Sequence, residues 1–275
     1  MIASHLRRPF KSSEGPVKRL SHWLRQKACH NVTPNGCTPI TEVRPEDIFV
    51  VGYPKSGNTW VQELVAGALY GVLPEFAPFG TVQALIPDVH YEPWYKRHAT
   101  PMFFKSHALP NPAYRRVIYL LRDGRDVMVS FLHYRQALER QTFDFLDFVT
   151  NERLTPPCRW HKHVEAWLAN PYGAEIMTLR YESLQADPVL ELRRLCEFAG
   201  LQRPLWLLKL AAQCTDFETM QTKEIQQGMP SSRWPKDKLF RRRGLVGSYK
   251  DEMPAEVLEA FLRHSGGVLR QCGYS

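Results

Sequence analysis

Asp47-Ile48-Phe49-Val50-Val51-Gly52-Tyr53-Pro54-Lys55-Ser56-Gly57-Asn58-Thr59-Trp60 joins a short apolar run to a segment of helical spacing. The run up to Tyr53 has the form of a strand buried on both faces of a parallel sheet. Beyond Gly57, apolar residues recur at Val61, Leu64, Val65, Ala68 and Leu69, the period of a helix. The first amides of such a helix have no internal acceptor, and its dipole favours negative charge at that end. Gly57 lets the backbone approach a phosphate closely, Thr59 offers a hydroxyl and Lys55 a mobile positive charge. The junction therefore reads as a P-loop-like phosphate-binding strand-loop-helix. It is not the Walker A pattern, in which lysine follows the second glycine; here Lys55 precedes Gly57.

Further along, the same alternation repeats. Strands are expected at Met102–Lys105, Arg116–Leu121 and Glu175–Leu179, and helices over Asp123–Ala137 and around Trp160, Val164, Trp167 and Leu168. Asp187-Pro188 reads as a cap and first turn, followed by Leu192, Leu195, Cys196 and Ala199 on one face. Val257, Leu258, Phe261 and Leu262 give a C-terminal helix. This order predicts a single α/β domain over residues 47–275, with a central parallel sheet flanked by helices.

Composition narrows the class. The 275 residues carry a net charge of +8, 44% apolar and 23% charged residues, as in a globular protein with an anionic partner. The six cysteines show no C-x-x-C spacing, so neither a disulfide scaffold nor a zinc site is expected, and a reducing cytoplasmic setting is. No apolar run approaches the ~20 residues of a membrane span. Residues 1–46 form a basic N-terminal arm: the first thirty hold seven Lys or Arg against Glu14 alone. A solvated arm, a short amphipathic helix around Leu20–Leu24 and an organelle-targeting peptide all fit that composition.

Three further segments carry chemistry. In Leu120-Leu121-Arg122-Asp123-Gly124-Arg125-Asp126-Val127-Met128-Val129-Ser130, Arg122 falls at the carboxyl end of a buried strand, where open α/β sheets bind ligands. Arg125 and Asp126 read as a surface ion pair or a cap. Phe240-Arg241-Arg242-Arg243-Gly244 places forked guanidinium donors ahead of a glycine, as a loop closing over a phosphate would. Lys105-Ser106-His107 ends another strand at the same edge of the sheet, and a histidine there can act as a base. His161 and His163 flank Lys162 on a helix and point apart, a poor metal pair. Residues 77–99, rich in proline and aromatics, read as a lid or acceptor-binding loop, or equally as a packed surface loop.

Taken together, Lys-Ser-Gly-x-Thr-Trp at 55–60, the Arg122–Ser130 segment, Lys-Ser-His at 105–107 and the Arg242–Lys250 segment resemble the cytosolic sulfotransferase family in its own motif order. The resemblance implies 3′-phosphoadenosine 5′-phosphosulfate as co-substrate and no metal. It implies a 5′-phosphosulfate loop of Lys55, Ser56, Gly57, Asn58, Thr59 and Trp60, and a 3′-phosphate site of Arg122, Ser130 and the loop Phe240, Arg242, Arg243 and Gly244. Thr215, Phe217, Tyr181 and the Trp60 indole would surround the adenine. His107 would be the general base, Lys55 and Lys105 would stabilise charge on the sulfuryl group, and Ser130 would restrain Lys55 until acceptor binds. Ser248 and Tyr249 depart from the family's Asp and Trp. A homodimer stays open, since Lys250 and Glu259 match the ends of the family's dimer motif while Pro254 and Ala255 replace its centre.

Two other classes are weighed against this reading. A P-loop kinase predicts a Walker A lysine and a magnesium-binding carboxylate, and neither is apparent. A nucleic-acid-binding protein predicts basic residues spread over one surface, whereas several key charges here sit at strand–helix junctions. The acceptor, whether small molecule, lipid or glycan, is not legible.

Overall fold

Alternation along one strand explains why the sheet must be covered twice. Ile48–Gly52 is buried throughout, and its side chains divide between two cores. Phe49 and Val51 pack on one face with Val117, Tyr119 and Leu121; Ile48 and Val50 pack on the other with Phe103, Ile118 and Leu120. A strand apolar on both faces cannot lie at a wet surface, so helices close both sides.

The computed structural model describes residues 34–229, 231 and 233–275. The strands are β1 (Thr38–Pro39), β2 (Ile48–Gly52), β3 (Trp94–Tyr95), β4 (Phe103–Ser106), β5 (Arg116–Leu121) and β6 (Glu175–Arg180). Four of them form a parallel sheet in the order β4-β2-β5-β6. The helices are α1 (Asn58–Tyr70), α2 (Phe79–Leu85), α3 (Gly124–Glu139), α4 (Phe145–Thr150), α5 (Trp160–Ala169), α6 (Tyr181–Ala186), α7 (Pro188–Phe198), α8 (Leu205–Gln213), α9 (Phe217–Gln227), α10 (Tyr249–Glu252) and α11 (Ala255–Gln271). Leu64 of α1, Leu192 and Leu195 of α7 and Leu208 of α8 cover one face. Phe131 of α3, Trp160 and Trp167 of α5 and Phe261 of α11 cover the other. The Asp187-Pro188 signal is realised: Asp187 accepts the amide of Leu190, and Pro188 opens α7.

Because the sheet is parallel, Gly52, Ser106, Leu121 and Arg180 end at one edge, and the residues that follow each strand meet there. β6 runs one residue further than expected, to Arg180, and Tyr181 begins α6. Residues 77–99 contain α2 and β3, and Asp88 forms an isolated parallel bridge with Lys105. β3 pairs antiparallel with β1, which ties residues 38–39 to the domain. The rest of the expected basic arm, residues 1–33, lies outside the described residues, as do Cys29 and the Leu20–Leu24 segment. No helix among the described residues is long and apolar enough to cross a membrane.

Candidate active site

The chain leaves β2 at Gly52 and turns into α1 through a backbone that few residues tolerate. Lys55 (φ 71°) and Gly57 (φ 104°) both take left-handed conformations. A Cβ on Gly57 would stand 2.8 Å from Cδ2 of Tyr181, so the turn and the neighbouring ring both require glycine. With Gly57 as the cap, the amides opening α1 have no acceptor within the helix. Ser56 Oγ and Trp60 Nε1 are buried and without hydrogen-bond partners. Asn58 Nδ2 donates to the Ser106 carbonyl (3.4 Å), which fastens the loop to the end of β4. The indole of Trp60 meets the Tyr181 ring edge-on, with centroids 5.7 Å apart.

Arg122 emerges from β5 directly opposite. Its Nη1 donates to the Lys55 carbonyl and its Nη2 to the Leu245 carbonyl, both at 3.1 Å, and its guanidinium lies 4.1 Å over Tyr181. Its Nε is buried with no partner. Tyr181 Oη and Gln185 Nε2 donate to the Gly244 carbonyl at 3.4 and 2.6 Å. Gly244 has φ 64°, and a Cβ there would run into the Phe217 ring. Phe217 opens α9, capped by Asp216 accepting the Thr219 amide. Thr215 is buried just before it, but its hydroxyl donates to the Ala211 carbonyl (2.8 Å) and closes α8.

The three consecutive arginines have different roles. Arg241 turns inward to Glu63 of α1 and Glu224 of α9. Arg242 and Arg243 pair with Glu252, and Arg243 also with Asp251. Burial would raise the Glu252 carboxyl, but hydrogen bonds from Arg242, Arg243 and His133 outweigh it and hold the pKa at about 2. Asp126 corrects the surface reading: it is only 1% exposed and accepts from Gly247 N (2.7 Å), Tyr249 N (2.9 Å) and Ser248 Oγ (3.3 Å). Arg125 is buried as well, in a forked pair with Asp123.

At the centre of the edge stand Lys55, Lys105 and His107. The Lys55 ammonium lies over the rings of Phe240 (3.9 Å) and Tyr134 (4.7 Å). Tyr134 and Ser130 are four residues apart and share a face of α3, so Lys55 rests along the face that carries Ser130. No hydrogen bond joins Lys55 to Ser130 among the described residues. Burial, then the charges of Arg122, Lys105 and Arg241, push the Lys55 pKa down to about 7. Lys105 pairs with Asp88 at 3.2 Å.

His107 Nδ1 lies 2.7 Å from the Gly52 carbonyl, which can only accept. The proton of the neutral ring therefore sits on Nδ1, and Nε2 keeps its lone pair. The His107 amide donates to His90 Nε2 (2.9 Å), and Trp167 Nε1 donates to the Ala108 carbonyl (3.1 Å), fixing this strand end from two sides. Burial, then the charge of Lys105, lower the His107 pKa to about 3. His163, which pairs with Tyr119 Oη at 3.1 Å, belongs to the packing beneath.

One sheet edge thus gathers Lys55–Trp60, Lys105, His107, Arg122, Tyr181, Phe217 and the Phe240–Gly244 segment, with Ser130 on the adjoining helix. Unpartnered Ser56 Oγ and Arg122 Nε, free helix amides and two lysines suit a ligand with several anionic groups. Arg241 was read only as part of the basic run, and Asp126, Glu252, Gln185 and Asp88 were not identified as site residues from the sequence. Only Asp126, in the first turn of a helix just after Arg122, had a local signal, and that signal reads equally as a cap.

The sulfotransferase domain model matches residues 45–273. Mouse sulfotransferase 1E1 is 26% identical over 259 residues, covering 83% of this chain and 85% of that protein. Human sulfotransferase 1C2 is 25% identical over 248 residues, covering 80% and 82%. Among solved structures, mouse sulfotransferase SULT7A1 complexed with PAP aligns with a TM-score of 0.62 at 20% identity, over 83% of this chain and 85% of that one. Retinol dehydratase in complex with retinol and PAP gives 0.62 at 21%, over 83% and 82%. At those identities the two structures establish a shared fold.

Proposed function

The chain belongs to the sulfotransferase family, and from that premise we propose that it moves the sulfuryl group of 3′-phosphoadenosine 5′-phosphosulfate to a hydroxyl or amine of a small-molecule, lipid or glycan acceptor. The observation that carries the reading is the meeting, at one sheet edge, of two anion-binding elements with a histidine whose Nε2 is unprotonated. The 55–60 loop receives the 5′-phosphosulfate. Arg122, Ser130, Arg242, Arg243 and Gly244 receive the 3′-phosphate. Trp60, Tyr181, Thr215 and Phe217 surround the adenine, with Thr215 contributing shape, since its hydroxyl is engaged by α8.

His107 Nε2 takes the proton of the acceptor as its oxygen or nitrogen bonds to sulfur. The bond from sulfur to the bridging phosphate oxygen breaks in line, and the bisphosphate leaves. Lys55 and Lys105 stabilise the charge that builds on that oxygen and on the sulfuryl group. An anion beside Lys105 offsets the positive charge that depresses His107, and the Gly52 carbonyl stabilises the imidazolium that forms. A reducing cytoplasmic setting belongs to the same proposal, supported by Cys37, Cys158, Cys196, Cys214 and Cys272 standing as free thiols.

Calorimetry with 3′-phosphoadenosine 5′-phosphate, AMP and ATP with magnesium tests the reading. Tight binding of the bisphosphate alone is expected, and a preference for ATP with magnesium would overturn it.

Lys55 adds a proton signature. Its free pKa near 7 rises when an anion binds beside it, so the complex takes up a proton where the free ammonium is partly deprotonated. Bisphosphate affinity should fall by up to tenfold per unit above pH 7. Calorimetry in buffers of different ionisation enthalpy should register this uptake, and Lys55→Met should abolish it. An equal uptake in that variant would assign the proton elsewhere.

A further inference from the structure

Two residues proposed to hold the nucleotide, Arg122 and Tyr181, are each bordered by residues that the segment Cys272–Ser275 clasps. Tyr274 Oη donates to Glu182 Oε2 at 3.0 Å. The other oxygen of that carboxylate, Glu182 Oε1, accepts the Asp123 amide, also at 3.0 Å. Glu182 follows Tyr181 and Asp123 follows Arg122, so one hydroxyl and one carboxylate span both ligand-bearing strand ends. Around this bridge, Arg180 donates to the Cys272 carbonyl and lies 5.2 Å over the Tyr274 ring. Arg125 donates to the Ser275 carbonyl (2.7 Å) while forking onto Asp123.

We infer that Tyr274, acting through Glu182, is a positioning residue that sets the spacing between Arg122 and Tyr181 and hence the grip on the 3′-phosphate of the nucleotide. The inference rests on the proposed function for the identity of that ligand. Nothing else among the hydrogen bonds of the described side chains links Glu182 to the 272–275 segment. Arg122 already stacks on Tyr181 at 4.1 Å, so a shift of either strand end moves both partners. A carboxylate held by two donors keeps one rotamer. Released by one donor it gains others, and the Asp123 amide loses a fixed acceptor. Fixing a binding group through its supporting shell is what separates a present site from a productive one.

The test is Tyr274→Phe, which removes one oxygen and leaves the ring under Arg180. Affinities of the full chain for 3′-phosphoadenosine 5′-phosphate and for AMP are measured side by side. The bisphosphate should weaken by about fivefold to tenfold, less than a full charge-assisted hydrogen bond because the effect is relayed. AMP, which keeps the adenine beside Tyr181 but lacks the 3′-phosphate, should weaken by a clearly smaller factor. Glu182→Gln should weaken the bisphosphate in the same selective way, and the double variant should be no worse than Glu182→Gln alone. Equal losses for both ligands, or additive losses in the double variant, would show a general structural role and overturn the inference. A wild-type chain that binds both ligands equally would instead overturn the proposed function, and the inference with it.

Discussion

Substituting His107 with alanine is expected to lower kcat for sulfuryl transfer by about 10²- to 10⁴-fold, the range that a positioned general base contributes. Binding of 3′-phosphoadenosine 5′-phosphate should change by less than about twofold, because His107 is argued to serve the acceptor and not the nucleotide. His107→Gln sharpens the comparison. Its amide can keep the hydrogen bond to the Gly52 carbonyl, now 2.7 Å from Nδ1, but it cannot take a proton. Equal loss in both variants would point to base catalysis. Survival of most activity in either would remove His107 from that role. The titration of His107 carries a separate expectation. With its pKa lowered to about 3 by burial and by Lys105, His107 in the free protein is unprotonated from pH 5 upward. An NMR titration of the free protein should therefore show no His107 transition near pH 6.5, where an unperturbed imidazole would place one. Lys105→Met should raise the His107 pKa only in part, because burial is the larger cause.

The second large effect is expected at Arg122. Arg122→Met should weaken the bisphosphate by about 100-fold, from the loss of charge-assisted hydrogen bonds of about 1.5–3 kcal/mol each. Two of its donors already join the Lys55 and Leu245 carbonyls, and only Nε is buried without a partner. Removing the fork therefore takes away the anion contact and also loosens the two loops that face it. Arg122→Lys keeps the charge and loses the fork, so it should recover part of the affinity but not most of it. If AMP and the bisphosphate weakened equally in both variants, Arg122 would be a strut between loops and not a 3′-phosphate ligand.

Much of this edge was legible because parallel strands announce themselves. Buried runs such as Arg116–Leu121 are apolar on both faces, and their ends fix where Arg122 and His107 fall. The expected and observed ends of β5 coincide. Among the helices missed by sequence reasoning, α8 is largely apolar and α9 has no apolar stripe. In α9 the buried positions are Met220, Lys223 and Glu224, a pattern that hydrophobic spacing does not detect. The three arginines show a deeper limit. Sequence gives their charge, but which one turns inward depends on Glu63 and Glu224, residues far apart in the chain. Asp126 was misjudged for the same reason, since its partners lie more than a hundred residues away. Where Lys55 rests is likewise a tertiary matter, decided by Tyr134 and Phe240 coming together.

Arg241 and Asp126 grip the arginine loop at its two ends, one through Glu63 and Glu224, the other through the amides of residues 247 and 249. A chain segment tethered this closely has already lost most of its backbone freedom, at about 1–2 kcal/mol per residue fixed. On the proposed function, capture of the 3′-phosphate needs only rotations of Arg242 and Arg243 away from Glu252 and Asp251, and the ordering entropy that a mobile lid would surrender is absent from the binding free energy. In that proposal the loop is a rigid frame carrying two movable hands, and its elementary event is the exchange of the Glu252 and Asp251 carboxylates for one phosphate.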